Sequence, residues 1–350
     1  MRHLVALGLL ACFGAAQAEV VSADNPLLRG SIYIDLAYAG DRIVAVGDRG
    51  HIIYSDDEGK SWQQGETPTT VLLTAVCFAD DQNGWAVGHD AMVLGTRDGG
   101  ATWALQYSDA IQAGGDVDVI EDDDDYYEDE DYDYYDEDLY ADDAGPVDTS
   151  GAPLLDIWCD SADRAIAVGG YGYLVETTDG GDSWTQREGE LPDDEGWHLY
   201  AIEPLSGEPD TLIIAGERGT LFRSVDRGES WERLDSPYHG TLFGITTSNA
   251  RTLLVHGLQG NVWLSRDKGD TWQRISSRVS TGINSGTVLA DGTVVLAGNA
   301  GAMLTSHDQG ATLSLRYLSG RQTVSSVLAR KQGGVIIAGA GGVRVLEDVR

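Results

Sequence analysis

The chain is short of positive charge, of cysteine and of long apolar runs, and each shortage closes off a class of function. Its 350 residues carry 23 Lys and Arg against 57 Asp and Glu, a formal charge of −34. Phosphate contacts need a basic footprint, so a nucleic-acid partner is not expected. Cysteine occurs three times, at Cys12, Cys77 and Cys159, with no histidine at ligand spacing beside them, so no zinc site is expected. Beyond residue 13 no apolar run approaches the roughly 18 residues of a membrane-spanning helix.

What the chain has is repetition. The pattern [ST]-x-D-x-G-x-[ST]-[WL] occurs six times, built on Asp57, Asp98, Asp179, Asp226, Asp267 and Asp308. The first five copies end in Trp62, Trp103, Trp184, Trp231 and Trp272, and the sixth ends in Leu313. An apolar run ending in glycine precedes each copy, at Gly47, Gly88, Gly169, Gly216, Gly257 and Gly298, and a seventh run ends at Gly339. The steps between these glycines are 41, 81, 47, 41, 41 and 41 residues. Seven units of that period, each readable as four short strands punctuated by Gly, Asn and Asp, predict an all-β, seven-bladed propeller. In each turn the carboxylate is expected to accept backbone N–H bonds, the glycine to take positive φ, and the Trp to pack between sheets. The seventh unit stops before its aspartate turn. Residues 20–28 are therefore expected to supply its last strand and close the ring.

The N-terminus reads Met1-Arg2-His3, an apolar stretch over residues 4–13, and Ala16-Gln17-Ala18. That order predicts a signal peptide over residues 1–18, cleaved after Ala18, and export to the periplasm. The remainder, 19–350, is expected to form one propeller. Leu10-Ala11-Cys12 faintly matches a lipid-attachment signal, but the apolar stretch before it is short. Cys77 and Cys159 hold matching places in consecutive units. Export permits a disulfide between them, but equivalent strands of neighbouring blades are expected to lie too far apart for one. The balance favours two buried thiols.

The acidity is localised. Residues 205–350 hold 15 basic and 13 acidic side chains, whereas 17 acidic residues and no Lys or Arg fall between Asp116 and Asp143. Six tyrosines are interspersed there, and Gly114-Gly115 and Gly145-Pro146 bracket the stretch. A segment this charged cannot bury a core, so 114–150 is expected to be a disordered insertion between blades two and three. It reads as a solubilising loop, as an arm for a partner with a basic patch, or as a weak Ca²⁺ collector. No other cofactor is expected.

The insertion joins an outer strand to the next inner strand. It should therefore emerge on the rim carrying the Gly-x-x-Gly turns, opposite the aspartate turns. The same rim is expected to hold His89, Asp90, Tyr171, Tyr173, Trp197, His198, Arg218, Tyr238 and His239. Aromatic and Arg side chains are common interface anchors; the alternative is that these residues only cap blade ends.

The runs at 45–62 and 86–103, Ala-Val-Gly followed by the aspartate pattern, resemble the Asp-box or BNR repeat. With Gly-Trp-Ala-Val-Gly at 84–88, the chain resembles the photosystem II assembly/stability factor family. That resemblance implies a seven-bladed propeller, chaperone-like binding of a membrane-protein subunit in photosynthetic members, and, in other Gram-negative bacteria, exported accessory proteins linked with resistance–nodulation–division transporters. The acidic insertion departs from the photosynthetic pattern. Asp-box repeats also occur in sialidases and glucanases, so a glycoside hydrolase is the enzyme alternative. The sialidase signature Phe/Tyr-Arg-Ile-Pro is absent, and no catalytic residues are assigned. A small molecule or glycan in the channel mouth is the third reading.

Overall fold

The computed structural model describes residues 30–109, 151–187, 189–192 and 195–349, and the backbone of Val20–Val21. The leader, most of the N-terminal strand candidate and the acidic insertion lie outside these residues.

Seven antiparallel sheets stand in a ring. In the first blade the order from the axis outward is Tyr33–Ala39, Arg42–Gly47, Ile52–Ser55 and Trp62–Gln64. The second strands are short, β-branched and buried along almost their whole length, as in Arg42–Gly47 and Val294–Gly298, because both their faces meet a neighbouring blade. Seven apolar clusters fill the seven seams, each drawn from two adjacent blades.

Each Asp-box turn is a closed set of hydrogen bonds. Asp226 accepts the Ser230 N–H at 2.9 Å, the Ser230 hydroxyl at 2.6 Å and the Ser224 hydroxyl at 2.7 Å, while Ser224 Oγ accepts the Gly228 N–H at 2.7 Å. The same bonding holds Asp308 in the copy that lacks Trp. There the Ser306 hydroxyl, then the Thr312 N–H and hydroxyl, hold the carboxyl down at about 2. Gly228 has φ +85°, and a Cβ there would lie 2.6 Å from Ile166 Cδ1 of the preceding blade. The turn is therefore pressed against its neighbour. Trp62, Trp103, Trp184 and Trp231 are buried beside these turns and Trp272 is partly buried. Burying an indole removes roughly 200 Å² from water, on the order of 5 kcal/mol. One net hydrogen bond contributes about 1 kcal/mol, so the Trp dominates the local energetics.

The described part of the segment expected to close the ring lies elsewhere: Val20–Val21 pair with Trp62–Gln64 on the outside of the first blade, and among the described residues the last blade has three strands, Val324–Ala329, Val335–Gly339 and Arg344–Leu346. The seam between last and first blades is held by side chains instead. Asp35 accepts the Ser326 hydroxyl at 2.9 Å, Arg330 pairs with Glu58 at 3.4 Å, and Lys331 pairs with Asp41 at 2.8 Å. Beneath them Ile336 and Ala338 pack with Tyr33, Ile43 and Trp62.

Asp35 belongs to a wider device. Every first hairpin carries a register irregularity after its first residue. Such a bulge re-aims the residue beyond it. Asp35 reaches the Val76 N–H at 3.0 Å, Asp156 the Ile202 N–H at 2.8 Å, and Ser285 Oγ the Val327 N–H at 3.1 Å, each in the next blade.

The cysteines also depart from expectation. Cys77 and Cys159 form a disulfide, with Cα atoms 5.8 Å apart. Inner strands converge at the channel, and one cysteine lies opposite the other across the seam between blades two and three. The bridge closes a loop that contains the acidic insertion. Replacing both cysteines by Ser should lower the unfolding free energy by about 2–4 kcal/mol while leaving the circular dichroism spectrum unchanged. An unchanged denaturation midpoint would contradict a stabilising bridge.

Candidate binding face

Within each blade the chain runs down its second strand into a tight turn, and the outer strand returns to the same side before crossing to the next blade. One face of the ring thus collects all the Gly-x-x-Gly turns and inter-blade connections. The middle residue of these turns takes left-handed geometry: Arg49 at φ 52°, Asp90 at 58°, Tyr171 at 56°, Arg218 at 50°, Gln259 at 56° and Ala300 at 55°. Non-glycine residues adopt this region at a cost, so the turns are positions where the fold imposes strain. The side chains of Arg49, Asp90, Tyr171, Arg218 and Gln259 are exposed there.

The residues singled out from the sequence fall on this face in different ways. His89, Asp90 and His239 are exposed. Tyr171 is 47% exposed, and its N–H donates to His198 Nδ1 at 3.0 Å while the two rings meet edge to face at 4.7 Å. His198 stacks on in turn to Tyr200 and Phe243 at the channel mouth. Arg218 lies 4.3 Å over the Trp197 ring, whose Nε1 donates to Glu195 at 2.7 Å. Tyr238 is half-buried, its hydroxyl 3.4 Å from the Leu258 carbonyl.

Tyr173 is a correction. It is buried, and its hydroxyl sits 2.6 Å from both the Tyr107 hydroxyl and Asp109 Oδ1. Burial, then the Asp109 carboxylate, pushes its phenol well above the usual range. Asp109 also accepts the Gly151 N–H at 2.6 Å. The two ends of the acidic insertion are thus clasped together on this face. The candidate Ca²⁺ ligands of the insertion lie outside the described residues.

Sequence reasoning missed the apolar character of the face. Of the five most exposed large apolar side chains among the described residues, Ile32, Tyr171, Leu258 and Tyr317 are here, and only Val225 is on the Asp-box side. The channel itself was expected, but not the carboxylates that line it. A cavity of about 700 Å³ along the axis is lined by Asp35, Asp156, Glu203, Tyr200 and Phe243 among others. Asp35 and Asp156 are occupied by the inter-blade bonds above. No cluster of three metal-ligating side chains occurs among the described residues.

Burial in the channel wall, followed by the nearby charge of Asp156 and Asp35, pushes Glu203 up to about 8. Its side chain borders the open lumen, so water there tempers a rise whose first cause is burial among the channel-wall atoms and whose second is like charge. A raised carboxyl favours the neutral form in the folded state. Its contribution to stability is then complete below the unfolded value near 4 and is lost as pH rises through the folded value. Glu203→Gln should match the parent midpoint at pH 4 and exceed it at pH 9. Parallel midpoint curves across that range would show that Glu203 is not repelled.

The comparisons with known proteins agree with this architecture. The family described as "Photosynthesis system II assembly factor YCF48" matches residues 60–130 and 146–284. The photosystem II assembly lipoprotein Ycf48 of Synechococcus sp. (strain CC9902) is 34% identical over 102 residues, which are 29% of this chain and 29% of that protein. The Ycf48 of Thermosynechococcus vestitus (strain NIES-2133 / IAM M-273 / BP-1) is 43% identical over 42 residues, 12% of each chain. The aligned stretches thus span under a third of these curated relatives. Among solved structures, "YCF48 bound to D1 peptide" superposes with TM-score 0.65 at 17% identity, covering 95% of this chain and 94% of that one. YCF48 from Cyanidioschyzon merolae gives 0.64 at 15%, covering 94% of this chain and 97% of that one. The WD40 propeller domain of Doa1 gives 0.62 at 12%, covering 91% and 93%. With more than half of its residues matched, this chain belongs to the YCF48 photosystem II assembly factor family.

Proposed function

We propose that this protein is an exported, non-enzymatic propeller that binds a subunit of a membrane or envelope complex during its assembly. The observation that carries the reading is the connection face, where exposed aromatic and Arg side chains are mounted on strained turns of a closed ring. Little ordering entropy is lost when such a surface associates. The family's description as an assembly factor and the relative solved with a D1 peptide support a protein ligand. A transporter of the resistance–nodulation–division class is the client this reading favours, and the periplasm is its compartment. Among the described residues no helix is long and apolar enough to cross a membrane, so a transmembrane partner would be met at its exposed segments. The acidic insertion, rooted on the same face, would draw basic segments of that partner and make association salt-sensitive.

The non-enzymatic reading rests on how the channel carboxylates are used. Asp35 and Asp156 each accept a backbone N–H across a seam, and among the described residues no arginine lines the cavity to hold a substrate carboxylate.

Replacing Tyr171 and Arg218 together by Ala should reduce partner recovery after crosslinking in intact envelopes several-fold, with an unchanged melting midpoint. Full recovery by the folded variant would reject this face as the binding surface.

A further inference from the structure

The acidic insertion leaves the ring at a seam built differently from those on either side. Along the channel, blade one reaches blade two through Asp35, and blade three reaches blade four through Asp156. Blade two has Ala75 at the equivalent place, just past its register irregularity, so no carboxylate crosses from there to blade three. In its stead stand the Thr74 hydroxyl, which donates to the Leu154 carbonyl at 2.6 Å, and the Cys77–Cys159 bridge. A hydrogen bond to a backbone group answers only to unfolding, whereas a disulfide also answers to thiols.

The bridge borders the lumen. Cys77 and Cys159 are half-buried, and both line the central cavity of about 700 Å³. The charged residues of that lining are Asp35, Asp156 and Glu203, and among the described residues no Lys or Arg joins them. A wall of one sign repels an anionic reagent and admits a neutral or cationic one.

The bridge is also continuous with the root of the insertion. The strand Leu154–Cys159 begins just after Gly151, whose N–H Asp109 accepts, and ends at the bridge. Both cysteines pack against the cluster that contains Tyr107, Ala152, Leu154 and Tyr173. Tyr107 and Tyr173 are the phenols that donate to Asp109. One strand and one apolar cluster thus connect the sulfurs near the channel to the clasp on the connection face.

We propose that the Cys77–Cys159 bridge is a thiol-exchange site reached from the channel, and that opening it with a neutral or cationic dithiol loosens the root of the acidic insertion while the ring stays folded. A thiolate of the dithiol attacks one cysteine sulfur, and the other cysteine leaves as a thiolate and takes up a proton. The second thiol of the reagent, deprotonated, then displaces the first cysteine, which is protonated in turn. The protein gains two electrons and two protons, and the dithiol is oxidised to its own disulfide. The apolar clusters of the other six seams do not include the bridge, so the loosening is a local opening of blades two and three.

The test needs no partner protein, so its outcome is independent of the binding reading. The oxidised full chain is treated with dithiothreitol in native buffer, free thiols are trapped with iodoacetamide and located by peptide mass, and hydrogen exchange is followed in both redox states. Cys77 and Cys159 should be trapped together, at a rate no less than about a tenth of that in guanidinium. Relative to the same reagents on the unfolded chain, cysteamine should open the native bridge at least threefold faster than mercaptoethanesulfonate. Exchange in the reduced chain should rise about tenfold over residues 104–109 and 151–159 and stay unchanged at the turns of Asp226 and Asp267. The combined Cys77→Ser and Cys159→Ser variant should show the reduced pattern with or without dithiothreitol. A bridge that opens only in guanidinium would overturn the exchange site, and equal relative rates for the two reagents would overturn entry through the channel. Reduction that leaves exchange at the root unchanged, or that raises it over all seven blades, would overturn the coupling to the insertion.

Discussion

Neighbouring blades lean on one another through the Asp-box turns. Each carboxylate gathers the N–H and hydroxyl groups of its own turn, and that turn, which in five of the six copies ends in an indole, is driven into the sheet before it. The contact repeats around the ring, and the innermost strands answer it from the channel side with Asp35, Asp156 and Ser285 reaching across to backbone N–H groups. Apolar burial fills each seam between these two polar rows. The order of magnitudes is clear: the seam clusters and indoles supply most of the stabilisation, and the carboxylates fix the register at which they meet.

This arrangement explains why the two faces differ. The Asp-box face is the more committed of the two, because its six turn aspartates are held within their turns and Arg42, Arg164, Arg223, Arg227 and Arg330 meet carboxylates. The connection face is left with side chains that the fold positions but does not satisfy: exposed Tyr171, Ile32, Leu258 and Tyr317, Arg218 on Trp197, Arg321 on Tyr317. A surface of this kind is stiff in its backbone and unspent in its polar groups. It is suited to holding another protein without a reaction, and its uneven charge gives a partner an orientation.

Much of this was legible in the sequence because it is local and periodic. The six aspartate turns, the seven glycine-terminated strands and the face to which each connection belongs follow from spacing alone. What escaped is long-range. The disulfide depends on how closely inner strands converge at the axis, which no single repeat records. The clasp of Asp35 to Ser326 and Lys331 to Asp41 joins residues about 290 apart, and nothing near either partner announces it. Tyr173 looked like a rim residue because it lies two positions from Tyr171, but it leads directly into the strand Leu174–Thr177 and its ring is buried. Whether an arginine is paired is likewise a property of the neighbouring blade, as with Arg164 of blade three and Glu229 of blade four.

The central claim is that partners meet the connection face and not the Asp-box face or the channel. Hydrogen–deuterium exchange of the protein, alone and crosslinked to the envelope partner it recovers, tests this directly. The account predicts new protection at the inter-blade connections, foremost around Tyr171 and Arg218, with exchange at the Asp-box turns unchanged. Protection confined to the Asp-box turns, or to the channel strands alone, would contradict it.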